Sequence, residues 1–163
     1  MNTHNKLIFK AHGFNTLGNY RFADIISIHN GKWVFCKHKN RNTWETQGGH
    51  IEKAANGGLG ETPLEAAKRE LYEETGAIKF DIEPLCDYWA SGLLRGKHIT
   101  AHGQVYFAVI HELGEIPEYS EMEQICLFDD IPHNQTTYPD YMKEIFPIAV
   151  KKKNSISMGG VTA

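Results

Sequence analysis

The stretch GGHIEKAANGGLGETPLEAAKRELYEETGA, running from Gly48 to Ala77, decides how the chain is read. Its second half predicts a helix from Thr62 to Gly76. Thr62 suits an N-cap, Pro63 the first helical position, and Gly76 the left-handed residue that ends the last turn. Glu70, Glu73 and Glu74 are spaced i, i+3 and i+4, so they share one face. At about 100° per residue they fall within an arc of roughly 100°. Three like charges so close together cost stability unless a cation sits among them. Ala66 and Ala67 beside them are small, which lets another backbone approach the helix. Leu64 and Leu71 form an apolar stripe next to the acidic one, so the acidic face borders the core. Arg69 stands i, i+4 from Glu73 and can orient one carboxylate while the others stay free.

Upstream, the pair Gly48-Gly49 provides backbone that a side chain would otherwise cover. Its carbonyls can ligate a metal and its amides can face a phosphate. Hard oxygen ligands beside a glycine turn match what Mg²⁺ or Mn²⁺ requires, with water and phosphate oxygens completing the shell. The reaction class this suggests is metal-assisted hydrolysis of a phosphoanhydride, with a spare carboxylate as base.

Outward from this stretch, ADIISIH (23–29) and WVFCKHK (33–39) read as two strands joined by the turn HNGK (29–32). AIKFDIEPLCDYWA contains strand-like runs interrupted by Pro84. HITAHGQVYFAVIHEL (98–113) is the longest strand candidate, with Gly103 as a possible bulge marker. EQICLFDDIP (123–132) reads as a short strand ending at Pro132. TYPDYMKEIFPIAVKKK predicts a final helix that Pro147 interrupts or kinks. Residues 154–163 read as a loose tail. The order of strands, helix, strands and helix predicts a mixed sheet between helices in one domain over residues 1–153.

Composition sets further bounds. The 163 residues suit a single domain with a sizeable core, and 41% hydrophobic with 23% charged residues is ordinary for a globular protein. A net charge of −3 argues against a stable nucleic-acid partner, which a basic face would accompany. No apolar run is long enough to span a bilayer, and MNTHNKLIFK lacks the apolar core of an export signal. Cys36, Cys86 and Cys126 lie far apart without metal spacing, which fits packed thiols in a reducing cytoplasm. His98 and His102, four apart on a strand, do not converge as metal ligands would on a helix.

Glu61, seven residues, then Arg69-Glu70-Leu71-Tyr72-Glu73-Glu74-Thr75-Gly76 resembles the box of the Nudix, or MutT-like, hydrolase family without a gap. Gly48-Gly49-His50-Ile51-Glu52 is similar to the family's GGxxE. The alignment makes Gly49 the box glycine and AANGGL (54–59) an insertion, read as a lengthened surface loop near the mouth of the site. Three departures stand out: that insertion, Ala77 where a larger aliphatic is usual, and Gln47 where proline is common. The resemblance implies an α/β/α sandwich around a mixed sheet. It implies Glu73 and Glu74 as principal metal ligands and Glu70 as a further ligand or the general base. Arg69 would orient the carboxylates, Glu61 would support the loop, and the Gly48 carbonyl would ligate. A further acidic ligand or base outside the box would be Glu121 first, Glu123 second.

Trp33, Lys37, Lys39, Arg41 and Trp44 lie on the strands before the box. With Gly49, the last four are the residues expected to hold a base and phosphates. Tyr138-Pro139-Asp140 and the Gly-Lys-Trp hairpin bear a weak resemblance to bacterial MutT-like triphosphate diphosphatases that clear oxidised nucleotides such as 8-oxo-dGTP. The expected reaction is therefore Mg²⁺- or Mn²⁺-dependent conversion of a nucleoside triphosphate to monophosphate and pyrophosphate. The alternatives are another diphosphate substrate (ADP-ribose, a dinucleoside polyphosphate or an RNA 5′ end) or a non-catalytic nucleotide-binding domain. Retention of every box carboxylate weighs against the last. Members of the family are often homodimers, so a homodimer is an open expectation here.

Overall fold

The computed structural model describes residues 6–54 and 59–158, with side chains up to residue 156. Eight strands and two helices follow in the order β1 (Lys6–His12), β2 (Tyr20–His29), β3 (Lys32–His38), β4 (Trp44–Glu45), β5 (Gln47–His50), α1 (Pro63–Thr75), β6 (Ala77–Leu94), β7 (Lys97–Leu113), β8 (Met122–Phe128) and α2 (Pro139–Met158). The sheet runs β1-β6-β7-β2-β3-β4, with β5 on the first half of β2 and β8 on β3. The β2–β7 pair is parallel and the other pairs are antiparallel, so the sheet is mixed.

Alternation along the strands explains why a helix covers each face. Ala23, Ile25 and Val34 pack with Ala66, Ala67 and Leu71 of α1. Ile26, Ile28, Trp33 and Phe35, pointing the other way, pack with Tyr141, Met142, Ile145, Phe146 and Ala149 of α2. The result is the α/β/α sandwich expected from the sequence. The β2–β3 hairpin turns at Asn30 and Gly31, whose positive φ values of 52° and 75° suit a two-residue primed turn.

Three local expectations need correction. Pro84 does not interrupt β6, because a register shift between Pro84 and Cys86 absorbs its missing N–H. Pro147 does not interrupt α2. Pro147 and Lys143 are both exposed, so the lost backbone bond falls on the solvent side, while Ile145, Phe146 and Ala149 keep the buried stripe continuous. Residues 154–158 extend α2 instead of starting a loose tail, and the remainder of that expected tail, 159–163, lies outside the described residues. Strand β1, for which the sequence analysis gives no element, forms the sheet edge against β6.

Among the described residues, no helix is long and apolar enough to cross a membrane. All three cysteines are free.

Candidate active site

The helix α1 is set in place by its ends. The Thr62 hydroxyl accepts the Glu65 N–H at 3.1 Å, and the Gly76 N–H reaches the Tyr72 carbonyl from a left-handed φ of 78°. Ala66, Ala67 and Leu71 are fully buried, so the helix lies close on the sheet, directly under β5. Two glycines in β5 let acidic side chains approach its backbone. A Cβ on Gly49 would stand 2.7 Å from Glu70 Cδ, and one on Gly48 would collide with the Asp24 carboxylate and meet the Ala23 carbonyl at 3.0 Å. Adjacent strand residues face opposite ways, so one carboxylate covers each side of the glycine pair. Gly49 therefore lies against the acidic helix, as the alignment with an insertion requires.

Arg69 is the hub. Its guanidinium donates to both Glu61 oxygens at 2.6 and 2.9 Å, to Glu70 Oε1 at 2.9 Å, to Glu73 Oε2 at 3.2 Å and to the His50 carbonyl at 3.1 Å. The Glu61 bond first, and Glu70 next, hold the guanidinium above its already high pKa against the opposing effect of burial. Arg69 in turn keeps Glu61 below the usual carboxylate range. Glu61 also closes the chain on itself: its N–H donates to the Glu52 carbonyl, and its Oε1 accepts the Glu52 N–H, both at 2.9 Å. The expectation for AANGGL lies, over 55–58, outside the described residues. Its two ends are pinned at the Glu52–Glu61 pair, with Leu59 fully exposed.

Glu74 is 7% exposed and accepts the Gly48 N–H at 2.6 Å. Burial raises its pKa well above the carboxylate range, the Gly48 bond opposes the rise, and Glu70 adds to it. Glu70 is raised by burial against the opposing pull of Arg69. Asp24 is lifted by burial to about 7, with the Tyr88 and Tyr141 hydroxyls opposing the shift and Glu70 adding to it.

A cavity of about 350 Å³ lies between these groups, lined by Gly48, Gly49, His50, Glu52, Arg69, Glu70, Glu73, Glu74, Tyr119, Ser120 and Glu121. Five carboxylates face one guanidinium. Among the described residues no three acidic, histidine or cysteine side chains are gathered in ready ligand geometry. The donor set nevertheless fits a hard divalent cation. Glu70 Oε1, Glu73 Oε2 and Glu74 Oε1 are each fixed by a protein donor, while among the described residues the second oxygen of each has no such bond, and negative charge is in excess.

The cavity wall brings together Gly48, Gly49, Arg69, Glu70, Glu73, Glu74 and Glu121, with Glu61 just behind Arg69. It does not include Lys37, Lys39, Arg41 or Trp44. Lys37 is bonded to Glu123 at 2.6 Å, which also takes Glu123 away from the site. Lys39 gives its backbone N–H to the Glu121 carbonyl. Trp44 packs edge-on to Phe128 at 5.3 Å, and Trp33 is buried against Phe146. Arg41, bonded to Glu45 at 2.9 Å, lines a smaller cavity of about 100 Å³ with Leu7, Phe9, Thr137, Tyr138, Pro139 and Asp140. The sequence analysis missed Asp24 and Tyr119. A charged residue inside the apolar run ADIISIH was the available signal for Asp24, and Tyr119 gave none.

A mixed sheet with a carboxylate helix docked under a paired-glycine strand defines a Nudix-type hydrolase site. The chain belongs to this family: the NUDIX domain model matches residues 20–147. It is a Nudix hydrolase. The chain is similar to the Bacillus subtilis pyrophosphohydrolase BsRppH, at 26% identity and a TM-score of 0.69 over 91% of this chain and 90% of that one. The NUDIX domain of Shewanella oneidensis NrtR, solved with ADP ribose, matches at 15% identity and a TM-score of 0.61, covering 83% and 88%. A bifunctional NMN adenylyltransferase/ADP ribose pyrophosphatase from Francisella tularensis, solved with AMP and a manganese ion, matches at 15% identity and a TM-score of 0.52, covering 83% and 42%. No curated protein matches the chain.

Proposed function

We propose that the protein hydrolyses a nucleoside 5′-triphosphate between the α and β phosphates, releasing the monophosphate and pyrophosphate. The observation that carries this reading is the excess of carboxylates beside Gly48-Gly49, with Glu70, Glu73 and Glu74 each held by one oxygen. Likeness to a pyrophosphohydrolase along nine-tenths of both chains supports pyrophosphate as the leaving group.

Glu73, Glu74 and the Gly48 carbonyl, with Glu70 or Glu121, would hold Mg²⁺ or Mn²⁺, which supplies charge neutralisation for the phosphates. The remaining work belongs to the chain. Arg69 fixes Glu70 Oε1 and Glu73 Oε2, so neither carboxylate has to be ordered during the reaction. Glu70 Oε2 takes the proton of the attacking water, and its raised pKa makes it a better base than an exposed glutamate. Glu121, at the cavity rim with its side chain 83% exposed, is the second candidate for that proton. The Glu61–Glu52 pair holds the two ends of the long loop together.

Purified protein with Mg²⁺ and a panel of canonical and oxidised nucleotides, including 8-oxo-dGTP, tests the reading. Pyrophosphate with monophosphate is the expected product. Absence of pyrophosphate from every triphosphate, or two monophosphates from ADP-ribose alone, would overturn it.

A further inference from the structure

Charged side chains dominate the cavity wall, so the position of a base is a separate question from that of the phosphates. At about 350 Å³ the cavity lies near the lower end of ligand pockets, which run from roughly 300 to 1,000 Å³. Phosphates against the carboxylates leave the base at the mouth. Of the side chains in the wall, only His50 and Tyr119 present an aromatic ring. The His50 ring already has an aromatic partner, the Phe22 ring at 4.7 Å. Tyr119 is 69% exposed, and among the described residues no ring stacks on it.

A lone exposed tyrosine is ordinary on a protein surface; the way this one is presented is the distinguishing observation. The loop carrying it is tied at both ends. The Gly114 N–H donates to the Gly76 carbonyl at 2.7 Å, and Lys39 N–H donates to the Glu121 carbonyl at 3.0 Å. Between them Ser120 turns inward, 5% exposed, its N–H on the Pro117 carbonyl and its hydroxyl accepting the Met122 N–H. Tyr119 is therefore held outward by a fixed backbone. Tyr72, next to Glu73 on α1, is 44% exposed. Partial desolvation first, then Glu73 and Tyr72, raise the Tyr119 phenol above its ordinary pKa. The ring stays uncharged and does not repel phosphate.

We propose that Tyr119 is the stacking platform for the base of the nucleotide whose phosphates lie against Glu70, Glu73 and Glu74. This makes it a specificity-determining residue, and the inference rests on the reading of the protein as a nucleotide hydrolase. Every base has a π face, so the platform selects nucleotides over bare polyphosphate and discriminates little among bases.

The test is calorimetric binding of ATP, GTP, CTP, UTP and inorganic tripolyphosphate, with Ca²⁺ replacing Mg²⁺ to suppress turnover, to wild type, Tyr119→Ala and Tyr119→Phe. Stacking on a protein ring is worth about 1–3 kcal/mol per base, so Tyr119→Ala weakens all four nucleotides by roughly 5- to 150-fold. Tripolyphosphate binds both proteins alike, and Tyr119→Phe restores nucleotide binding. Unchanged nucleotide binding in Tyr119→Ala overturns the platform, as does equal weakening of tripolyphosphate, which assigns Tyr119 to cavity structure. A Tyr119→Phe variant as weak as the alanine variant overturns it as well, and so does a wild type that binds no nucleotide. A wild type that binds nucleotides yet releases no pyrophosphate with Mg²⁺ refutes the proposed reaction alone, and the binding comparison still decides the role of Tyr119.

Discussion

Replacing Gly49 with alanine probes the site while leaving the fold nearly untouched. The backbone at Gly49 has an ordinary φ, so alanine meets no conformational strain. Its Cβ would collide with Glu70 Oε1 and stand 2.7 Å from Cδ, whereas ordinary contact begins at 3.4 Å, so the carboxylate must retreat by at least about 0.7 Å. Glu70 sits at the end of a flexible side chain and can do this at small cost. What it loses is its place against Arg69 Nη1, now at 2.9 Å. A displacement approaching 1 Å in a catalytic group costs up to about 100-fold, so a fall in kcat of roughly 10- to 100-fold is expected. Stability should change by less than about 1 kcal/mol, in the range of substitutions that disturb no packing. Steady-state pyrophosphate release and urea unfolding on the same preparation check both halves. Wild-type turnover in Gly49→Ala would refute the claim that the missing side chain positions Glu70. Unfolding of the variant would refute the claim that the glycine serves the site and not the fold.

Four further outcomes follow from the same geometry. Arg69→Lys loses the two-pronged bond to Glu61 and the His50 carbonyl and should lower stability by about 1–3 kcal/mol in urea unfolding, along with activity. Leu71→Ala, at a fully buried contact between α1 and the sheet, should cost about 2–5 kcal/mol by the same measurement. Asp87 accepts the backbone N–H groups of Asn15, Thr16 and Leu17 and the Tyr20 hydroxyl; burial opposes ionisation, but these bonds prevail and depress its pKa. A depressed acid stabilises fully above its unfolded value of 3.8 and loses that contribution as pH falls through the folded value, so Asp87→Asn should flatten the acid limb of a Tm-versus-pH curve. Adding Mg²⁺ should raise Tm, because burial and mutual repulsion already disfavour the charged forms of Glu70 and Glu74, and EDTA should reverse the rise.

How much of this was legible in the sequence depends on how locally each feature is determined. The helix α1 and its catalytic face could be read because cap, carboxylate spacing and terminal glycine all lie within fifteen residues. The glycine pair could be read across an insertion because both glycines answer to the same helix. Strand residues were harder. Lys37, Arg41 and Trp44 carry suitable chemistry, but their use depends on partners far along the chain: Glu123 on β8, Glu45 on β4 and Phe128 on β8. Asp24 escaped notice because its burial is created by Gly48 across the sheet and by Tyr88, whose ring lies over Gly103. That packing gives Gly103 a reason beyond the bulge expected there. Gln47, where proline is common, proves to be a buried polar bracket. Its side chain accepts from Ser27 at 2.5 Å and donates to the Val34 carbonyl at 3.0 Å, tying β5 to β2 and β3.

The most direct measurement is pyrophosphate release from a nucleoside triphosphate panel by wild type and Glu74→Gln, with Mg²⁺ and after chelation. Glutamine keeps an acceptor for the Gly48 N–H but cannot ionise to meet a cation. The account predicts Mg²⁺-dependent release by wild type and a loss of at least about 100-fold in the variant, with Tm preserved. Equal release by the two proteins, or release that survives chelation, would contradict it.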